Sequence, residues 1–500
     1  MTNDRHLTLY RRCAAIQACL MAALAVCFLI LPGVILWREL RQPDLYGADI
    51  PSLAWRMHRT LTPRVAAWAR ARVASGKAEH LALHDVPSTE WPMFGCVFYL
   101  MATESLQDAW KRNPSLAPAA PAAYARDAIR ASVELIADPV HHTWVRQHWG
   151  EDYLHRENVF FRGLIIAGLT SYQALTGDSR HLPMLKDQAD SLARDLDASP
   201  FGILNDYPSE CYPIDVLASI AFIRQSDRVT GLDHSAFAAR ARRAFEGRML
   251  DPAGLPPYAA DPVSGETYET SRGVGNSWVM MFVPDLWPDL TAEWYRRYER
   301  HFWQQDALTA GWREFPPFSA NAGRWFDVDA GPIIAGYSPA ANAFGLGAAR
   351  ACGRFDHVRI LTPQVLAACW PLPGGRLLGA RILSNAAHAP YLGESGILFF
   401  LTRRPADGVP LKTGGYTPRL VLLAYWFFLG MGVLILIVLR RQWRRWKAAA
   451  ISERSAGFRA IAWVALMFVA AGLLAAGRPE PAILCSLAGV FFFANPRRRR

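Results

Sequence analysis

Glu210, Cys211 and Asp215 stand where a crowded polar and aromatic loop runs into a helix with almost no polar face, in the stretch NDYPSECYPIDVLASIAFI from Asn205 to Ile223. A helix that is apolar on nearly every side belongs inside a larger body, so the groups at its N-terminal end are held at that body's mouth. Cys211 and Asp215 are four apart and therefore one turn from each other. Further carboxylates precede other apolar segments: Glu90, Glu157, Asp206, Asp327 and Asp329. Two carboxyl groups facing each other across a pocket can cleave a glycoside as general acid and base, at about 5–5.5 Å for retention or about 6.5–9.5 Å for inversion. Apolar walls and mutual repulsion raise one pKa and keep that group protonated near neutrality. With Tyr207, Tyr212 or His155 as base, the same arrangement serves a polysaccharide lyase. We take Glu90, Glu210, Asp215 and Asp329 as candidate catalytic groups. Trp91, Glu157, Tyr207, Cys211, Tyr212, Arg272, Asn276 and Asp327 are candidate substrate-binding groups.

Each has a competing structural reading. Acids at helix starts cap free N–H groups and complement the dipole; Asp215, inside its helix, and Glu90, between Thr89 and Trp91, are the least explained that way. Arg272 and Asn276 in SRGVGNSW suit an anionic or hydroxylated ligand, or mark a plain turn into a helix. Cys211 as a nucleophile needs an adjacent base, for which His155 is the topological candidate, and is otherwise a buried thiol. Asp327 and Asp329 are too few to hold calcium. His141 and His142 are adjacent, cannot face one metal as an i, i+4 pair, and read as solvated loop residues. No metal or cofactor is expected.

The chain that must position these groups has 500 residues, 52% of them hydrophobic. Residues 1–12, 440–459 and 497–500 carry 14 of the 54 Lys/Arg and 2 of the 43 Asp/Glu, leaving 40 basic against 41 acidic residues elsewhere. The high pI of about 9.4 therefore does not describe the central region, and nucleic-acid binding has no basic footprint there. Residues 14–37 contain no charge, enough for a tilted membrane span; a cleaved signal peptide is the alternative, without a clear small-residue cleavage site. Apolar runs follow at 420–439, 460–476 and, shorter, 481–494, giving four expected spans. The Lys/Arg flanks after 439 and at the C-terminus are expected in the cytoplasm. The expected parts are thus a tail and span in 1–40, an outer domain in 41–417 and a membrane domain in 418–500. The outer domain then lies in the periplasm, on the inner membrane of a bacterium with two membranes. Cys96, Cys211, Cys352 and Cys369 lie in that outer region, where disulfides and buried thiols are both open.

The outer region reads as all-α. Periodicity and breakers place twelve helices near 50–77, 91–112, 119–138, 153–176, 181–198, 211–230, 233–250, 274–284, 289–307, 331–352, 355–370 and 393–403. A hairpin in PLPGGRLLGARILSN competes with the last part. Every second helix is the more apolar and follows a loop dense in aromatic and polar residues. Glu90, Glu157, Glu210, Ser271, Asp329 and Glu394 mark those loops at intervals of 53 to 67 residues. Six hairpins with buried second members suit an (α/α)6 toroid whose inner helix starts form a funnel; an open α-solenoid is the alternative.

Residues 158–178, NVFFRGLIIAGLTSYQALTGD, resemble the linalool dehydratase/isomerase-domain family, whose corresponding stretch is an Asn, an aromatic, Gly-His and a helix ending Leu-Thr-Gly-Asp. ECYPIDVLASIA is more loosely similar to that family's Cys-Glu-Pro segment. The resemblance covers about 70 residues and implies the (α/α)6 fold with a site at the inner helix starts. It departs at Leu164, where the family has its histidine, and offers only Cys211 near the family's paired cysteines.

The function expected is carboxylate acid/base chemistry outside the membrane, most simply hydrolysis or lysis of an envelope glycan, since aromatic platforms and several acids suit sugar rings. The alternatives are a dehydratase/isomerase-like lyase on a small alcohol, and a non-catalytic binding or assembly module. The lipid bilayer and a carbohydrate or small-molecule ligand are the expected partners.

Overall fold

The structure is a computed structural model that describes residues 3–81, 85–384, 388–448, 453–475 and 479–492. Part of the loop before the last outer-domain helix (385–387), positions 493–494 of the expected fourth span and the C-terminal arginines lie outside the described residues. Helix makes up 68% of the protein and the strands are two or three residues long, so the class is all-α. Two compact units form: residues 1–37 with 423–500, and residues 38–422.

In the larger unit twelve main helices follow in order: α1 Ser52–Ala74, α2 Trp91–Arg112, α3 Arg126–Ile136, α4 Val159–Thr176, α5 Leu182–Ala198, α6 Pro213–Thr230, α7 Ser235–Gly247, α8 Gly273–Val279, α9 Thr291–Phe302, α10 Pro339–Ala351, α11 Phe355–Ala368 and α12 Leu392–Thr402. They start and stop where local chemistry dictates. Pro213 opens α6, where its missing N–H costs nothing, and Gly177 and Gly231 close α4 and α6 in the left-handed conformation. Several boundaries differ from the periodicity: α4 begins at Val159 rather than near 153, α8 ends at Val279 rather than near 284 and α9 ends at Phe302 rather than near 307. α10 begins at Pro339 rather than near 331, because Phe326–Asp327 pairs with Gly331–Pro332 in a hairpin and Ser338 then caps the helix. The competing hairpin in PLPGGRLLGARILSN is present, pairing Pro371–Leu372 with Arg376–Leu377.

The even-numbered helices pack in a cyclic order: α2 on α4, α4 on α6, α6 on α8, α8 on α10, α10 on α12, and α12 back on α2. The odd-numbered α3, α5, α7 and α11 lie against members of that set. Aromatic side chains from all six even helices meet in the middle. The Trp278 ring touches Phe94, Phe98, Phe222 and Phe344 at centroid distances of 5.5–6.1 Å, all steeply inclined. Phe160 closes on Phe94, and Phe399 and Phe400 on Phe98. Edge-to-face pairs of this kind add about 0.5–1.5 kcal/mol each beyond area burial, so the centre is a packed floor.

α4 and α6 approach closely because Gly163 faces Ser219: a Cβ at 163 would stand 2.3 Å from the Ser219 hydroxyl oxygen, which now donates to the Val159 carbonyl. Gly163→Ala is therefore expected to cost about 1–3 kcal/mol, read as a lowered melting temperature, with part of the loss recovered when Ser219→Ala is added.

The smaller unit holds apolar helices. Among the described residues three helical stretches are long and apolar enough to cross a membrane, at Arg5–Leu40, Arg419–Arg444 and Ser455–Leu473. The first contains a π turn at Val26–Ile30, with the Leu31 N–H reaching the Val26 carbonyl; Pro32, which offers no N–H and crowds the carbonyl four residues back, explains the slip. The segment expected as a fourth span forms a ten-residue helix, Pro479–Ala488, and a 3₁₀ turn. That helix is about 15 Å long, half of a roughly 30 Å hydrocarbon core. Buried Gln17 holds it, donating to the Ser486 carbonyl at 3.0 Å and accepting from the Trp463 indole N–H at 2.7 Å.

Candidate active site

The loops leading into the even helices carry the polar groups. Glu90 immediately precedes α2: its carbonyl accepts the first helical N–H groups, from Met93 and Phe94, while its side chain turns inward, only 9% exposed. There the Tyr207 hydroxyl donates to Glu90 Oε2 at 2.7 Å. Tyr207 is held by a tight turn, closed by Glu210 N–H to the Tyr207 carbonyl and by Asp206 N–H to the Glu210 carbonyl, with Ser209 at φ 69°. Asp206 ties this turn down, accepting from Phe160 N–H at 2.8 Å, in the first turn of α4, and from Tyr212 N–H at 3.0 Å. Glu157 does a similar job one step away, accepting from Asn205 N–H at 2.8 Å.

Asp215 sits in the first turn of α6 and Asp329 in the hairpin before α10, where its carboxylate accepts from the Tyr258 hydroxyl. These acids feel one another. Burial, opposed by the Tyr207 bond and assisted by the charge of Asp329, pushes Glu90 up to about 7. Burial first, then Asp206, Glu90 and Asp329, hold Asp215 well above the usual carboxylate range. Burial also raises Asp206, against its two N–H donors. Of these close neighbours Asp206 keeps a charge most easily, because both its oxygens receive backbone N–H groups; Asp215 and Glu90 are the natural proton holders. Burial raises Asp329 as well, with Tyr258 and Arg272 pulling the other way. Tyr207 and Tyr258 are themselves raised, by burial and by the acids they serve, so they act as hydroxyl donors.

Glu90, Asp215, Asp329 and Tyr207 therefore converge, with Asp206 as a fourth carboxyl. Tyr212 packs edge-on to Tyr258 at 5.4 Å and gives its hydroxyl to Glu210. Glu210 is exposed on the turn and Trp91 half-buried at the start of α2.

Other candidates are occupied by the fold. Arg272 is 3% exposed, paired with Glu314 at 2.8 Å and Asp327 at 2.6 Å, and its guanidinium lies 4.1 Å over the Tyr258 ring. Asp327 is thus a buttress, kept ionised by Arg272. Asn276 is fully buried and donates to the Arg272 carbonyl in its own helix. Cys211 is buried, and burial followed by the charges of Asp206 and Glu157 raises its thiol far out of the nucleophilic range. His155 is exposed and bonds Asp152 and Asp187. All eight cysteines are free thiols. His141 and His142, expected in solvent, are each 1% exposed; His142 contacts the Ile136 carbonyl and Tyr153 hydroxyl, and burial lowers the two to about 3 and about 4, leaving both neutral. No group of three or more His, Cys, Asp or Glu fit to hold a metal occurs among the described residues.

Sequence reasoning passed over Tyr258, Trp278 and Glu314. Tyr258 lies in LPPYAADP, which has no periodicity to place it; Trp278 alone had a signal, as the bulky aromatic near the end of an otherwise small-residue helix, GVGNSWV.

The raised Glu90 sets a pH dependence of stability. Its ordinary value of 4.5 rises to about 7 in the folded protein, so the native state binds the proton more tightly than the unfolded chain. Its stabilising contribution is complete below about pH 4.5 and is lost as pH rises through about 7, an effect on the order of 3 kcal/mol. Thermal melts are expected to fall between pH 5 and pH 8, and Glu90→Gln to flatten that decline.

No known family model matches the chain, and no curated protein sequence matches it.

Proposed function

We propose that this is a membrane-anchored hydrolase of an envelope glycan, with Glu90 as general acid and Asp329 as general base. The convergence of Glu90, Asp206 and Asp215, with Asp329 on the exposed hairpin at their rim, carries the reading: these acids feel one another's charge and burial pushes Glu90 up to about 7. In the reaction proposed, the glycosidic oxygen takes the Glu90 proton as the bond to the anomeric carbon breaks. Water adds to that carbon and gives its proton to Asp329, which is more open to solvent than Glu90 and is oriented by Tyr258. Proton exchange with water resets both groups. Protonated tyrosines, and a His155 engaged by Asp152 and Asp187, favour hydrolysis over elimination with a tyrosine or histidine base.

The cyclic packing of the even helices supports an (α/α)6 toroid with the site in its mouth. The likeness over 158–178 to linalool dehydratase/isomerase-domain proteins is retained for that fold alone, since Leu164 is buried in α4 and Cys211 is a protonated thiol. We further propose that the Lys/Arg run from 440 faces the cytoplasm, as the positive-inside rule asks, which puts the larger unit in the periplasm. A fourth crossing near 481–494 would return the terminal arginines to the cytoplasmic side.

The test is incubation of the full chain in detergent with fractionated envelope glycans and small alcohols, followed by mass spectrometry. A gain of one water per cleaved glycosidic bond supports hydrolysis. Unsaturated products would support elimination, dehydrated alcohols the small-molecule reading, and no mass change in any fraction a binding module.

A further inference from the structure

The larger unit leaves an apolar edge uncovered. Six large apolar side chains, Leu308, Phe318, Trp325, Phe326, Val328 and Ile334, are exposed between residues 308 and 334, with Trp325 at 76% and Ile334 at 69%. Among the described residues no other stretch of that length between 41 and 418 exposes more than two. The edge is fastened rather than loose. Phe326–Asp327 pairs with Gly331–Pro332, Ile333 N–H bonds the Trp325 carbonyl at 2.7 Å, and Phe315, Ala330 and Ile333 form a small buried cluster beneath. The Tyr337 hydroxyl donates to Asp306 at 2.9 Å and the Gln304 amide to the Ala335 carbonyl at 3.1 Å. These bonds stitch the hairpin to the tip of a second one, Trp303–Gln305 against Ala310–Trp312. Exposed apolar groups on a fastened element mark an interaction surface.

What covers the edge follows from where it runs. At the tip of the second hairpin the Leu308 carbonyl accepts the Leu420 N–H at 2.9 Å. Leu420 lies in the first turn of the helix Arg419–Ala448, in which Arg419–Arg444 is long and apolar enough to cross a membrane. One end of the edge is therefore tied to the point where that helix begins, and the other is the hairpin that carries Asp329. Side-chain chemistry narrows the choice further. Leu308, Val328 and Ile334 are aliphatic and offer a sugar neither a ring face nor a hydrogen bond. Trp325 is of the type enriched at headgroup level, and a lipid surface takes aliphatic and aromatic side chains alike.

We infer that this edge rests in the headgroup layer of the membrane the chain crosses, and that the glycan cleaved is one which that membrane holds by a hydrocarbon tail. The substrate class rests on the hydrolase reading of the site; the surface does not. With Asp329 on the edge itself, a sugar joined to a tail in the bilayer reaches the carboxyls without leaving the surface, whereas a free glycan must arrive from water.

The test reconstitutes the full chain in vesicles of phosphatidylethanolamine and phosphatidylglycerol, with Cys19, Cys27 and Cys485, the cysteines that are not buried, replaced by alanine. A nitroxide is attached at Phe318→Cys, at Ile334→Cys or, as control, at Leu116→Cys, an exposed position beyond the C-terminal end of α2 and so away from the mouth. Relaxation by oxygen, which concentrates in lipid, is compared with relaxation by a water-soluble nickel chelate. The oxygen-to-chelate ratio is expected to be at least fivefold higher at 318 and 334 than at 116. Equal ratios would overturn the surface, and labels shielded from both reagents would overturn it in favour of a second copy or another protein. Turnover is scored separately on envelope oligosaccharides, either free or carrying a hexadecyl tail. The tailed form should be cleaved at least tenfold faster, and Ile334→Glu, checked by unchanged melting, should lower that rate fivefold or more while the free form stays within twofold. Equal rates for the two forms would overturn the substrate class. Labels at lipid depth with neither form cleaved would overturn the hydrolase reading and support the surface.

Discussion

If the proposed hydrolysis holds, Glu90→Gln is expected to lower kcat/KM on the glycan substrate by on the order of 10²–10⁴-fold, the range a positioned general acid supplies, without unfolding the protein. The amide is isosteric with the protonated acid that the enclosure prefers, still accepts from Tyr207, and removes the charge that burial penalises. Activity and stability should therefore move in opposite directions: turnover collapses while the melting temperature at pH 8 stays level or rises. Glu210→Gln is the control. Its carboxylate lies exposed on the turn and receives only the Tyr212 hydroxyl, so rates within a few-fold of the starting protein are expected. Equal losses at Glu90 and Glu210 would remove the distinction between an enclosed acid and a rim carboxylate.

The largest stability effect is expected at Arg272. Removing it as Arg272→Met leaves Glu314, which is wholly buried, without its cation, and leaves Asp327 with only the more exposed Arg324 at 3.4 Å. Breaking a buried pair from one side typically costs about 3–5 kcal/mol, because the remaining charge is stranded. Glu314 is already raised to about 7 by burial even with Arg272 present, so without it the acid should bind a proton near neutrality and moderate the loss as pH falls. Adding Glu314→Gln should recover much of the stability, and a double-mutant cycle by thermal melting measures the coupling. Additive losses would show that Arg272 and Glu314 do not stabilise the fold as one unit.

Much of this arrangement was legible in the chain. Six apolar segments, each preceded by a loop containing an acid or serine, located the even helices, with misses at 153–158, where a 3₁₀ turn precedes α4, at 280–284, where α8 has already ended, and at 331–338, where a hairpin intervenes. Glu90 and Asp215 stood out because capping did not account for them, and both lie in the carboxyl cluster. What stayed hidden depends on contacts between distant segments. Arg272 looked ready for a ligand, but Glu314 and Asp327, 42 and 55 residues further on, consume its donors. His141 and His142 look solvated beside Asp138 and Pro139, yet Ile136 and Tyr153 satisfy His142 inside the protein. Asp206 was visible as one acid among several, and its distinguishing feature, two N–H donors from α4 and the turn, has no local signature.

The most direct measurement is the titration of Glu90 by infrared difference spectroscopy, full chain minus Glu90→Gln, followed from pH 5 to pH 9. A protonated carboxyl band present at pH 5 and lost with a midpoint near 7 is the expected result, since the proposed acid must hold its proton where the enzyme works. A Glu90 already ionised at pH 5 would contradict it and leave the cluster without a proton to give.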